Sequence, residues 1–84
     1  MNPYLSFSQA LVQLKAGKNV AREGWNGKHM FLFYVCGGIC THPALGGKAV
    51  DSLPYIAMYT AQGNVVPWLA SQTDLLSDDW SVVE

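Results

Sequence analysis

Apolar residues change their spacing several times along the chain, and each change predicts an element. From Phe7 to Leu14 they recur at helical spacing, with Phe7, Leu11 and Leu14 in one stripe and Ala10 beside them. Ser6 and Gln9 stand at Ser-x-x-Gln spacing, a capping box that starts this helix. Gly17 supplies its stop, and Lys15 and Lys18 sit at the negative end of its dipole. Asn19 to Arg22, apolar at Val20 and Ala21, reads as a first strand. Met30 to Val35, MFLFYV, is a continuous apolar run whose aromatic content favours a central strand. Pro54 opens another strand, Tyr55 to Thr60, with Tyr55, Ala57 and Tyr59 on one face and Ile56 and Met58 on the other. Ala61 to Asn64 reads as a hairpin turn and Val65 to Pro67 as the returning strand, stopped by a proline that has no N–H to give. Ser71 and Asp74 resemble a second capping box, so a short helix is expected from about Ser71 to Leu76, and Trp80 to Val83 reads as a last strand. The predicted fold is α+β: an N-terminal helix on a small antiparallel sheet of four or five short strands, with a short helix before the last strand. A chain of this length makes one domain, residues 1–84.

Two stretches interrupt the pattern. Glu23 to Lys28 holds Gly24, Asn26 and Gly27, a tight turn that can take positive φ, and it carries Trp25 at its tip. An exposed Trp there needs cover from a partner subunit, a ligand or the sheet itself. From Gly37 to Ser52 the chain is rich in Gly, Pro, Thr and Ala, and a loop this long in a small domain is usually functional or mobile.

Composition adds one strong expectation. Hydrophobic residues make up 50% of the chain and charged residues 13%, against a usual ~25% charged. A body of this size has too much surface to hide that much apolar material, so a homo-oligomer is expected. Net charge is −1 with no run of Lys or Arg, which argues against a nucleic-acid groove. The N-terminus is polar and no apolar run approaches ~18 residues, so no signal peptide or membrane span is read and an intracellular protein is expected.

Candidate chemistry is sparse. Cys36-x3-Cys40, with His29 and His42 near, does not complete a recognised zinc ligand set, and the cysteines read as free thiols. Gly47-Lys48 is not a phosphate loop, because His42 stands where that motif has Gly and Ala49 where it needs Ser or Thr. No G-x-S-x-G elbow, no H-E-x-x-H and no Cys with a credible His partner appears, and Asp78 and Asp79, adjacent in sequence, point to different sides. No enzyme, cofactor or metal is predicted. A binding site is suggested instead by Val66 to Trp80. There Trp68 follows a strand end, and the N–H groups around Gln72, Thr73 and Asp74 at a helix start favour an anion, so a phosphorylated aromatic ligand suits both. The competing reading makes Trp68 core and Ser71 only a cap. Arg22, the chain's one arginine, could reach a phosphate or pair with Glu23 or a nearby Asp.

Several words of the sequence resemble a known family. VAR-x-GWNGK-x-M at 20–30, LPYIAM at 53–58, VPWLASQTD at 66–74 and Asp79-Trp80 are similar, in the same order, to the second family of Thoeris anti-defence proteins, small phage and prophage sponges. The resemblance covers nearly the whole chain except 37–52. It implies binding and sequestration, without cleavage, of cyclic ADP-ribose isomers such as glycocyclic ADP-ribose in the cytoplasm of the bacterial host. It further implies homotetramers with ligand pockets between protomers, and in some members a separate site for cyclic dinucleotides. On this reading Trp25 and Trp68 offer faces to the base. Arg22, Asn26, Gln72, Thr73 and Asp74 make polar contacts, Lys28 helps with the anion, and Tyr55 lines the same site. A small nucleotide hydrolase and a purely structural phage protein are the alternatives.

Overall fold

The computed structural model describes residues 3–25 and 28–83. The first helix, α1 (Phe7–Lys15), begins as its spacing predicts: Gln9 N donates to Ser6 Oγ at 3.3 Å and Ser6 N donates to Gln9 Oε1 at 2.9 Å. Gly17, at φ +92, releases the chain into β1 (Asn19–Arg22). Then follow β2 (Phe31–Val35), β3 (Gly38–Thr41), β4 (Ala49–Ser52), β5 (Tyr55–Tyr59), β6 (Val65–Pro67), α2 (Gln72–Leu76) and β7 (Trp80–Val83). Five strands form one sheet in the order β6-β5-β2-β1-β7, and every adjacent pair is antiparallel. Pro67 ends the edge strand, yet the next N–H continues the ladder, Trp68 N donating to Ile56 O at 2.9 Å.

Register decides which residues share a face. Val20 pairs with both Leu32 and Val82, Leu32 with Met58, and Arg22 with Trp80, so these side chains lie on one side of the sheet. There α1 packs, and Ala10, Leu14, Val20, Leu32 and Trp80 form the fully buried core, with Leu5, Phe7, Leu11, Ile56, Met58 and Trp68 against it. The opposite face carries Phe31, Phe33, Ala57, Tyr55 and Tyr59, as the alternation in β5 predicts. Phe31 stacks on Tyr59, their centroids 5.1 Å apart. Neither helix lies over this aromatic face among the described residues: α1 is spent on the other side.

Residues 37–52 correct the expectation of a loop. β3 and β4 pair antiparallel, Gly38 with Ser52 through Thr41 with Ala49, as a separate two-stranded arm closed by a 3-10 turn at Pro43–Leu45. Almost every residue of the arm is exposed, Ile39 by 70%. The arm explains a radius of gyration of 14.8 Å, against about 12 Å for a compact chain of this length. The turn after β1 is described only in part. Among its described residues His29 is left-handed (φ 63) and Gly24 is not at positive φ; Asn26 and Gly27 lie outside the described residues. Among the described residues no helix is long and apolar enough to cross a membrane.

Candidate functional site

Arg22 leaves the end of β1 on the core side and is almost covered, 13% of its side chain being exposed. Its Nη1 donates to Asp74 Oδ1 at 2.8 Å and its Nε to Asp79 Oδ1 at 2.9 Å. Of the two options open in the sequence, phosphate contact or pairing with Asp, the folded chain has the second in place. Asp74 is a junction. Its Oδ1 also accepts from Trp25 Nε1 at 3.1 Å, its Oδ2 from Ser71 N at 3.3 Å, and its backbone oxygen from Trp80 Nε1 at 3.0 Å. Asp79 Oδ2 accepts from Gly24 N at 2.8 Å.

These bonds set the charge states. Burial alone would raise the Asp74 carboxyl, but hydrogen bonds from Arg22, Trp25 and Ser71 outweigh it and hold Asp74 below the usual carboxylate range. The Arg22 guanidinium lowers Asp79 likewise, against a smaller opposing effect of burial. Arg22 is raised in turn, first by Asp79 and then by Asp74.

Trp25 is therefore folded back and not free at a turn tip. It is half-buried, with its ring edge-on to Trp80 at 5.3 Å and 82°. It forms part of the wall of a cavity of about 420 Å³ at one end of the uncovered sheet face, with Arg22, Glu23, His29, Phe31 and Tyr59 around it. That volume lies in the range of small-molecule sites, roughly 300–1,000 Å³.

The other sequence-derived candidates are dispersed. Trp68 packs on Phe7 (5.6 Å) and Trp80 (6.0 Å), the core reading of that residue. Gln72 and Thr73 are exposed on the first turn of α2, whose start is capped from within, Asp74 N donating to Ser71 Oγ at 3.0 Å. Lys28 is exposed beside the cavity's turn. Tyr55 shares the uncovered face but stands at the far end of β5 from Tyr59, about 13 Å along the strand. Asn26 lies outside the described residues. Glu23, His29, Phe31 and Tyr59 are new to the site. The signal for Tyr59 was in the alternation of β5; Phe31 lies in a continuous apolar run that marks no face, and joins Tyr59 only through the pairing of β2 with β5.

Among the described residues no three of His, Cys, Asp and Glu come together as a metal site, and Cys36 and Cys40 are exposed free thiols. The hydroxyls of Ser6, Ser52, Thr60, Ser71 and Ser77 make local bonds in caps and turns.

Residues 5–83 match the family described as the Thoeris anti-defense 2-like domain. A protein of Bacillus phage SP01 named Thoeris anti-defense 2 is 38% identical over 88 residues, covering 99% of each chain.

Proposed function

The chain belongs to the Thoeris anti-defense 2-like family, and from that premise we propose that it works in the cytoplasm of the bacterial host as a sponge: it binds cyclic ADP-ribose-type signals and withholds them from the Thoeris effector. The observation that carries this reading is the cavity beside Trp25, a recess lined by the aromatic rings of Trp25, Phe31 and Tyr59 and by the polar side chains of Arg22, Glu23 and His29. Such a site can hold a nucleotide, and the reading takes the ligand to stay intact there.

Assembly follows from the same face. Phe31, Phe33, Tyr55 and Tyr59 present an aromatic surface on which neither helix packs, and the cavity opens at its end. A second protomer laid on this face covers it and closes the cavity, which favours a homo-oligomer, a tetramer by resemblance, with pockets between protomers. Tyr55 reaches a ligand in the cavity only from such a partner, because in its own protomer it stands at the other end of the strand.

Calorimetric titration with a panel of cyclic ADP-ribose isomers and cyclic dinucleotides tests the reading, followed by mass spectrometry of ligand held overnight with stoichiometric protein. Saturable binding with ligand recovered intact is expected. Steady turnover would establish a hydrolase, and no binding across the panel a structural protein.

A further inference from the structure

An arginine beside an aromatic cavity is the obvious receiver for the pyrophosphate of a nucleotide. The surroundings of Arg22 oppose that role. Each of its three guanidinium nitrogens already directs an N–H at a carboxylate: Nε to Asp79 Oδ1 at 2.9 Å, Nη1 to Asp74 Oδ1 at 2.8 Å and Nη2 to Asp79 Oδ2 at 3.4 Å. Glu23 is a third acid nearby and, unlike Asp74 and Asp79, lines the cavity itself. A phosphate brought to this guanidinium loses part of its water and meets one positive charge already held by two carboxylates, which repel it.

The cluster does something else for the cavity. Asp74 holds Arg22 and the Trp25 indole N–H on the same oxygen, and Asp79 holds Arg22 and the backbone N–H of Gly24. The residue before Trp25 and the ring of Trp25 are thus fixed by the two carboxylates that grip Arg22. Gly24 must come close for this: a Cβ there would stand 2.9 Å from Asp79 Oδ2 and 3.1 Å from Arg22 Nη2. Trp80, packed against the indole at 5.3 Å and 82°, braces it from the core. A wall set in advance costs less ordering when a ligand arrives.

We infer that Arg22 is a positioning residue and not an anion receptor: with Asp74 and Asp79 it sets Trp25 as a fixed wall, and the cavity takes the uncharged planar ring of a ligand while the phosphates stay outside. Only the identity of the whole ligand rests on the sponge reading. The ring subsite is defined by the cavity itself.

The test uses the intact protein and two probes, adenosine and inorganic pyrophosphate, with tryptophan fluorescence and calorimetry at low and raised salt. Adenosine is expected to bind, to quench fluorescence, and to keep its affinity as salt rises. Pyrophosphate is expected neither to bind in the cavity nor to displace adenosine. Trp25→Phe keeps an aromatic wall but cannot donate to Asp74; it should weaken adenosine by about three- to tenfold, the worth of one hydrogen bond, at unchanged oligomer mass. Displacement of adenosine by pyrophosphate overturns the inference, as does absent adenosine binding, or Trp25→Phe binding adenosine as the parent does. The two readings fail separately. If a cyclic ADP-ribose isomer binds but pyrophosphate competes for the cavity, the sponge stands and the ring subsite falls. If adenosine binds and no cyclic ADP-ribose isomer does, the reverse holds.

Discussion

Three tryptophans meet around β7, and their surroundings give each a different task. Trp80 is fully buried and central, with Trp25 and Trp68 both edge-on to it. Trp25 also faces the cavity, so Trp25→Ala should weaken ligand binding by about tenfold to a hundredfold, the worth of one stacked base. Trp68→Ala should act differently. It removes a half-buried ring from Phe7 and Trp80, and is expected to cost about 2–3 kcal/mol. In a domain of this size that lowers Tm by about 10 °C or more, and the folded fraction should bind almost as the parent does. Melting temperature, oligomer mass and affinity measured on both variants separate the two tasks. The Arg22 cluster makes stability acid-sensitive. Asp74 and Asp79 titrate lower in the folded chain than in the unfolded one. Their contribution is therefore complete above the ordinary carboxylate value of about 4 and is lost as pH falls through the lowered folded values. Tm should stay level from neutral pH to about 5 and drop below about 4. Asp79→Asn should cost about 1–2 kcal/mol at neutral pH given its partial exposure, read as a lower Tm, and should flatten that acid limb.

At the scale of elements, two capping boxes fix where helices start, and one glycine fixes where the arm starts. Ser6→Ala deprives Gln9 N of its acceptor and should cost about 1 kcal/mol, read as a Tm shift of about 4–8 °C. α2 is only five residues long and has little helical stability of its own. It is held by what its Asp74 grips: Arg22 from β1, Trp25 from the turn and Trp80 from β7. The arm depends on Gly37, where an added Cβ would collide with the Ser52 carbonyl oxygen and crowd Pro54. Both neighbours are backbone or ring, so neither yields cheaply. Gly37→Ala is expected to disorder the β3–β4 ladder and leave the five-stranded sheet standing, which hydrogen exchange resolves strand by strand.

On the scale of the molecule, the sheet is finished on one side only. The core face has a helix; the other has aromatic side chains and a cavity. Light scattering at micromolar concentration should therefore give a multiple of 9.2 kDa. Phe33→Glu puts a charge into the middle of the uncovered face without touching the core, since Phe33 pairs with Ala57 on the side away from α1. It should shift the mass toward the monomer while far-ultraviolet circular dichroism stays that of the parent. Unchanged mass in this variant would place the interface elsewhere, with the exposed arm the next surface to examine.

Local chemistry was enough to write much of this fold in the sequence. The boxes at Ser6 and Ser71, the stop at Gly17, the alternation in Tyr55 to Thr60 and the run at 30–35 each act over a few residues, and each element formed within a residue of where its pattern put it. The excess of apolar residues led to the expectation of a homo-oligomer, which the mass measurement above tests. The arm was not legible, because β3 and β4 are exposed on both faces and so carry no alternation for a buried side to impose. The site was legible only in part. Trp25 and Arg22 could be named from a turn and a lone charge. That Arg22 would be claimed by Asp74 and Asp79, 52 and 57 residues away, depends on β7 pairing with β1 and on α2 lying across Trp80. Which of two roles a charged side chain takes is settled by the groups that reach it first, and over such separations only the tertiary fold brings them.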